Sequence, residues 1–486
     1  MNTITFSPAS AIAAPRQRLI LAICCLSLLV VSIDATIVNV ALPSIRADLD
    51  ASLSGLQWVI DAYTVVMASF LMLGGANADR FGRRRVFQVG MAVFTLGSVL
   101  CAASGTIGWL IAARVVQALG GSMLTPVAMS IIVHTFADPK ARARAIGIWG
   151  AVAGASMALG PLAGGALTQA TGWHAIFWIN VPVGLLAIGL TARYVPESRA
   201  PRPRRPDPIG QALLLVGLAS LIYSLIESAR SGAAATLAMF FVAAAAFAGL
   251  LAYEPRRREP LLDLRFFRSL PFASATVIAV CMFAALGAFL FVNSLYLQEV
   301  RGLAAARVGI YLLPMAAIVM LVSPLSGRLV AAYGARPSLV ISGTMMSLST
   351  LLLTRLAADT PVAELLGTYA LFGLGFGVVN APITFAAVSG MPRAQAGLAA
   401  AVATTSRQVG LALGVAMVGL LVGGRRSWST SDWAGYPAAT HPVWWILAGC
   451  GLLVLALGII ATGPLGQASA ARVAHLLDDH PAEAPR

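Results

Sequence analysis

Leu19 to Val40 reads LILAICCLSLLVVSIDATIVNV, an apolar run with a single charge, Asp34. A helix rises ~1.5 Å per residue, so about 20 residues cross a ~30 Å hydrocarbon layer, and this run is long enough to do so. The sequence therefore opens on a membrane helix with a carboxylate inside it. An acid at that depth costs at least ~2.5 kcal/mol. Two uses repay such a cost: binding a proton, ion or ligand, or pairing permanently with a buried arginine.

Composition agrees with a membrane chain. Of 486 residues, 58% are hydrophobic and only 11% are charged, and the mean hydropathy is +0.83, which leaves too little polar surface for a soluble globule of this size. Arg16 and Arg18 precede the first run much as the basic region precedes a secretory signal. The run exceeds a signal's core of about 7–15 residues, however, and is expected to remain as an uncleaved first span. Cys24, Cys25, Cys101, Cys281 and Cys450 all lie within apolar runs without metal-type spacing, so neither disulfides nor a zinc site are expected. The net charge of +14 has no soluble domain to carry it toward nucleic acid, and membrane topology accounts for it better.

Apolar runs follow one another near 19–41, 54–76, 86–104, 107–132, 143–168, 174–192, 208–228, 234–253, 271–296, 307–331, 337–356, 363–388, 395–422 and 442–463, which predicts fourteen spans. With the amino terminus in the cytoplasm, 24 of the 33 Lys and Arg fall on the cytoplasmic side and 7 outside, leaving Arg114 and Arg407 within the membrane. The cytoplasmic set includes Arg80, Arg83, Arg84 and Arg85, then Lys140, Arg142 and Arg144, then Arg202, Arg204 and Arg205, then Arg256, Arg257 and Arg258. An inverted chain would reverse this bias, so both termini are expected to be cytoplasmic. The connecting segments, of which Tyr194 to Asp207, Glu254 to Leu270 and Gly423 to His441 are the longest, are too short for an independent catalytic domain.

The sequence also repeats itself at about 250 residues. Gly147, Gly160 and Gly164 recur as Gly397, Gly410 and Gly414; Gly121 and Pro126 recur as Gly377 and Pro382; and the loop Gly75 to Arg84 recurs as Gly327 to Arg336. Helix order and sense are preserved, which predicts parallel repeats about an axis along the membrane normal. The expected organisation is a six-helix half over 1–193, two inserted helices with flanking linkers over 194–270, a second six-helix half over 271–463, and a tail over 464–486 to which the sequence assigns no role.

Depth links the intramembrane charges. Asp34 lies nine residues before Pro43, hence ~13 Å below the outer end of its helix; Asp61, seven residues after Ser54, and Arg114, seven after Ile107, are each ~10 Å deep. These three are the expected proton-coupling group, with Asp34 as leading carrier and Asp61 second. Trp58, Tyr63 and Met67 near Asp61, with Asn293, Tyr296 and Arg407, are candidate cavity residues, since aromatics beside an acid suit an organic cation. His134, near a helix end, reads as an interfacial residue. No nucleophile, metal cluster or paired acids stand near an interface, so an enzyme is not expected.

Two local patterns add mechanism. Gly75 and Gly82 permit a tight turn between two helices, while Asp79 can accept from a helix amino terminus or pair with Arg80 or Arg83, which together describe a conformational latch. In the fifth run Gly147, Gly150, Gly154, Ala158, Pro161 and Gly165 make a smooth face, bent at Pro161, which is expected to pack closely between the two halves.

Together these features resemble the major facilitator superfamily. Ile33 to Pro43 resembles the first-helix motif of its fourteen-helix drug:proton antiporter branch, the EmrB/QacA type. Gly75 to Arg85 resembles the superfamily's loop motif, with Asn77 in place of a leucine. Arg114 to Gly121 resembles the fourth-helix motif, with Ala118 for a glycine. Gly160, Pro161, Gly164 and Gly165 resemble the antiporter motif, with Ser156 for a glycine, and Trp173 to Gly184, including Phe177, Asn180 and Pro182, again resembles the fourteen-helix branch. The resemblance implies an all-α polytopic membrane protein with the major facilitator fold. It further implies a proton-coupled antiporter of the bacterial cytoplasmic membrane that exports hydrophobic, cationic drugs or biocides by alternating access. The latch would hold the outward-facing state. The expected partners are small drug-like molecules, protons and lipid; a monomer is expected, with no cofactor, metal or nucleic acid, and no periplasmic adaptor is readable. Metabolite export or symport on the same fold, and a non-transporting sensor, are the alternatives.

Overall fold

The structure, a computed structural model, describes residues 14–200, 206–228, 230–257, 259–389, 391–392, 395–423 and 433–478, without the side chain of Ala158. Arg202, Arg204, Arg205 and Arg258 lie outside the described residues, as do 424–432 of the loop after Gly423 and the final residues 479–486. Seventeen α-helices are described. The first nine are α1 Ala14–Leu49, α2 Leu53–Phe81, α3 Arg83–Ala102, α4 Ile107–Thr135, α5 Pro139–Thr171, α6 Ala175–Trp178, α7 Asn180–Tyr194, α8 Pro208–Ile226 and α9 Gly232–Tyr253. The remainder are α10 Leu270–Leu295, α11 Ala305–Tyr333, α12 Ala335–Leu353, α13 Val362–Gly377, α14 Asn380–Val388, α15 Ala396–Val418, α16 Tyr436–Ala461 and α17 Pro464–Asp478.

Short polar residues start these helices where the sequence turns apolar. Ser52 accepts from Gly55 N (3.2 Å) ahead of α2, and Asp138 accepts from Ala141 N (2.7 Å) ahead of α5, each satisfying a donor the helix itself leaves free. Gly82 (φ 108°) and Gly334 (φ 77°) turn α2 into α3 and α11 into α12 in the left-handed backbone region that favours glycine.

Among the described residues, twelve segments are long and apolar enough to cross a membrane, or thirteen if Pro139–Thr171, bent by 40° between Met157 and Leu159, is one span. By this measure the expected fourteen is corrected to twelve. The bend divides α5, and the expected run 337–356 becomes α12, whose hydropathy is diluted by Ser338, Ser342, Thr344, Ser347, Ser349 and Thr350. A further difference lies in the tail: Pro464–Asp478 is helical, Val473 is buried, and Ser469 Oγ accepts from Leu270 N (2.9 Å).

The repeated glycines do equivalent packing work. An added Cβ at Gly164 would lie 2.7 Å from Ile37 of α1, and at Gly414 2.8 Å from Ala284 of α10. At Gly121 it would meet Tyr63 and Met67 of α2, and at Gly377 Val319 of α11. Thus α5 leans on α1 and α4 on α2 as α15 leans on α10 and α13 on α11. Helices α1–α7 and α10–α16 form two bundles of the same design.

The polar contacts between the bundles gather at one end. Ser294 Oγ donates to Asn39 O (2.6 Å), Gln298 Nε2 to Val40 O (2.9 Å) and Gln57 Nε2 to Val415 O (2.7 Å), and Arg46 faces Glu299 at 3.5 Å. Gly165 and Pro161 of α5 meet Ala305 and Gly309 of α11 there. Toward the arginine-rich end, by contrast, an added Cβ at Gly147, Gly150, Gly154 or Gly327 would meet nothing within 4 Å. The polar contacts between the bundles thus lie at one end, while these α5 and α11 glycines toward the arginine-rich end face open space.

Helices α8 and α9 form a hairpin docked on α2. Trp58 Nε1 donates to Glu227 (3.0 Å), Arg230 to Ser54 (3.2 Å), and Gln211 Nε2 to Ser69 O. Leu218, Ile222 and Ile226 of α8 pack with Val65 and Ala68 of α2 and Ala412 and Ala416 of α15.

The contrast between glycines is testable. An added Cβ at Gly165 would lie 3.0 Å from Ala306 Cα, backbone that cannot retreat without parting the bundles. Gly165→Ala should therefore cost about 1–3 kcal/mol. Gly147→Ala should be neutral or stabilising by up to ~1 kcal/mol, as alanine is the better helix former. Thermal unfolding of the two variants in detergent distinguishes them, and equal melting temperatures would contradict this account of the seam.

Candidate functional site

Asp34 is fully buried and saturated with donors. Its Oδ2 accepts from Arg114 Nη1 at 2.6 Å, and its Oδ1 accepts from Gln117 Nε2 at 2.8 Å and Asn180 Nδ2 at 2.9 Å. Gln117 and Asn180 also donate to Ser98 Oγ, at 2.7 and 3.3 Å. Arg114 also donates to Gln117 Oε1 (2.6 Å) and Val59 O (3.2 Å), with its guanidinium 4.0 Å from the Tyr63 ring centre. Five helices, α1, α2, α3, α4 and α7, meet in this network.

Asp61 does not join it. Shared depth says nothing about azimuth: at 100° per residue, Asp61 and Tyr63 point to nearly opposite sides of α2. Val59 and Tyr63 face Arg114, whereas the stripe Gln57, Asp61, Val65 and Ala68 faces α15. The expected three-charge layer is thus an Asp34–Arg114 pair and a separate acid. Asp61 is also fully buried, yet Oδ1 receives only Thr64 Oγ1 at 3.3 Å and Oδ2 has no hydrogen-bond partner among the described residues.

Most expected cavity residues are occupied elsewhere. Trp58 anchors the α8 hairpin through Glu227. Tyr63 and Met67 are buried against Gly121. Asn293 and Tyr296 are fully buried in the second bundle: Asn293 donates to Phe289 O (2.9 Å) and accepts from Tyr369, while Tyr296 donates to Ala357 O (2.7 Å). Sequence spacing placed these five near an acid or a helix end but could not show which side of each helix was already packed. Arg407 stands apart. It is half-buried, and its Nη2 bonds Thr384 Oγ1 at 2.7 Å and Asn380 O at 3.4 Å.

The expected latch is held within its own bundle. Asp79 Oδ1 accepts from Arg83 Nη2 at 3.0 Å, the Arg80 guanidinium lies 5.4 Å from the Phe81 ring centre, and Gly75 packs near Pro126. Glu197, which the sequence reading missed, supplies the rest. Its Oε1 accepts from Arg84 N (3.1 Å) and Ser198 N (3.0 Å), and an added Cβ at Gly82 would collide with its carboxylate. Arg83 N donates to Ser198 O (2.9 Å) and Ala200 N to Asp79 O (3.1 Å). The available signal was an acid just beyond the sixth run, beside the most basic loop in the sequence. Of the antiporter motif, Gly160 and Gly164 pack on Thr36 and Ile37 of α1, while Pro161 and Gly165 face α11 across the seam.

A family model described as the Major Facilitator Superfamily matches residues 24–415. The chain belongs to this superfamily. It is 36% identical over 396 residues to the multidrug resistance protein Stp of Mycobacterium tuberculosis strain H37Rv, covering 81% of this chain and 74% of that protein. It is also 36% identical over 426 residues to the tetracenomycin C resistance and export protein of Streptomyces glaucescens, covering 87% and 79%. A crystal structure of the peptide transporter POT in complex with sulfate superposes with a TM-score of 0.66 at 14% identity, covering 94% of this chain and 95% of that one. The protein is a multi-pass membrane transporter of this superfamily and not an enzyme.

The two acids should respond oppositely to neutralisation. Asp34→Asn leaves Arg114 buried without its counter-charge and should cost about 3–5 kcal/mol in thermal unfolding. Adding Arg114→Gln should recover much of the loss, because the pair is then removed together. Asp61→Asn should be neutral or stabilising. A destabilisation by Asp61→Asn as large as that of Asp34→Asn would contradict the partition of charges.

Proposed function

We propose that this transporter exchanges hydrophobic, drug-like compounds for protons by alternating access across the bacterial cytoplasmic membrane, with both termini cytoplasmic. The first bundle, 1–193, and the second, 271–463, are the moving units, and 194–270 carries the inserted pair. In this reading α5 and α12 also cross the membrane, which gives the fourteen helices of the EmrB/QacA type. The drug and antibiotic resistance names of its relatives support the substrate class, and the 24-to-7 distribution of Lys and Arg supports the orientation.

Asp61 carries the proton in this proposal, ahead of Asp34. The observation behind it is the bare Oδ2 of a buried carboxylate on the α2 face that meets α15, a seam between bundles. A proton is the simplest ligand for that oxygen, and parting α2 from α15 would open it to water. Asp34, by contrast, has three donors and a counter-charge, so releasing it would dismantle the first bundle. In this proposal the open space beside Gly147, Gly150, Gly154 and Gly327 belongs to an inward-facing state, in which the Asp79 loop bonds to its own bundle. The latch would then engage the second bundle in the outward-facing state.

Substrate-induced proton release from purified protein across a pH series tests the coupling. Asp61→Asn should abolish release, whereas the double variant Asp34→Asn/Arg114→Gln should retain it wherever the protein folds. Release that persists in Asp61→Asn would exclude Asp61 as the carrier.

The latch has its own test. Asp79→Asn should slow transport and shift cysteine accessibility toward the inward-facing pattern, while Glu197→Gln should loosen the α2–α3 turn. Unchanged accessibility and transport in Asp79→Asn would reduce Asp79 to a loop residue.

A further inference from the structure

Arg114 and Arg407 both lie in the middle of a span, but only one is neutralised. Arg114 is 1% exposed and meets a carboxylate, an amide, a carbonyl and an aromatic face. Arg407 stands eleven residues into α15, ~16 Å along the helix from Ala396. Among the described residues, its hydrogen bonds run from Nη2 to the neutral oxygens of Thr384 and Asn380, and its Nε is buried without a partner. Among the described residues no carboxylate lies within 4.0 Å of it. A guanidinium at this depth is expected to face a water-filled cavity or pair with an anion.

The surroundings form a wall with a polar head and an apolar shelf. Thr384 on α14 is exposed; its hydroxyl donates to Asn380 O (3.1 Å) and so presents a lone pair that orients the guanidinium. The half-buried Phe283 ring of α10 is centred 6.0 Å from the guanidinium carbon. Among the described residues, neither acid buried within the spans of the opposing bundle forms an ion pair with Arg407. Asp34 is consumed by Arg114, Asp61 is turned into the α2–α15 seam, and Trp58 and Tyr63 are too occupied to cage a cation. The charge left without a counter-charge at this wall is positive.

We infer that Arg407 is the head-group subsite for an organic anion, a carboxylate or phenolate carried on an apolar or aromatic body. The guanidinium fork holds the anionic oxygens through Nε and the unused Nη hydrogens, while Thr384 positions the fork and Phe283 receives the apolar body. This substrate class rests on the transporter reading above. It also fits the direction of export, since an interior-negative potential favours outward movement of an anion.

Three probes with one apolar body separate head-group chemistry from hydrophobic partitioning: 1-pyrenebutyrate, 1-pyrenebutanol and a pyrenylalkylammonium. Binding is measured to the full chain in nanodiscs of zwitterionic lipid, with protein-free nanodiscs subtracted. The carboxylate should bind on the order of tenfold tighter than the alcohol, as a charge-assisted hydrogen-bonded pair predicts, and the ammonium should bind more weakly than either. Arg407→Gln should abolish the preference, Arg407→Lys should retain part of it, and Thr384→Val should weaken carboxylate binding while leaving alcohol binding unchanged. The lysine and valine variants keep the proposal testable if the glutamine variant does not fold. Equal or tighter binding of the ammonium, or an unchanged preference in all three variants, overturns it. Proteoliposomes with an imposed pH gradient then separate the two proposals. Proton-driven movement of the alcohol or ammonium without carboxylate preference refutes the anion subsite and leaves the antiporter standing. Carboxylate preference without proton-driven movement supports the subsite and refutes the coupling.

Discussion

The contact on which the first bundle depends is the pair between Asp34 and Arg114. Each charge alone would be costly at this depth, and each is stabilised by the other and by Gln117, with Asn180 completing the shell of the carboxylate and Ser98 bonding both amides. The network reaches α1, α3, α4 and α7 through side chains and α2 through Val59 O. Losing any member leaves another buried polar atom unsatisfied, so these helices are constrained to move as one body. What looks in sequence like a functional acid is, in this state, the tie that makes a rigid unit.

Rigidity inside each bundle transfers motion to the seams. There the sequence changes character: Gly165, Pro161, Ala305 and Gly309 line α5 against α11, and Val65, Ala68, Ala412 and Ala416 line α2 against α15. Small side chains leave shallow relief, so two helices can tilt past each other without unlocking deep interdigitation. The polar contacts gathered at one end, Ser294 with Asn39 and Gln298 with Val40 among them, would have to exchange for others when the bundles rock. Asp61 lies in one of these seams, which sets it apart from Asp34 more clearly than depth could.

Much of this was legible in the chain because it depends on local periodicity. Hydropathy placed the helices, and the 250-residue recurrence pairs Gly164, which packs on α1, with Gly414, which packs on α10; the packing partners themselves were not legible. Azimuth was harder to read. Depth placed Asp34, Asp61 and Arg114 in one layer, but a two-residue offset from Tyr63 turns Asp61 away, and nothing in a single helix says which neighbour occupies which face. The same gap explains Trp58 and Asn293, whose partners Glu227 and Tyr369 are remote in sequence. Glu197 was missed for a related reason, since its role exists only once the linker folds back over Gly82. The span count failed at α12, where hydroxyls lower hydropathy although Ser338, Ser342, Ser349 and Thr350 are buried.

The α8–α9 hairpin adds chain between two bundles whose likeness depends on running the same way. A single extra crossing would have delivered α10 to the wrong face of the membrane, inverting every later helix and destroying the correspondence between Gly164 on α1 and Gly414 on α10. Two crossings return the chain to the side it left. Parity therefore limits how such a protein can grow: additions at the junction must come in pairs. The hairpin is fastened to α2 through Glu227, Arg230 and Gln211, and its α8 also packs on Ala412 and Ala416 of α15, so the added chain lies across one seam between the bundles.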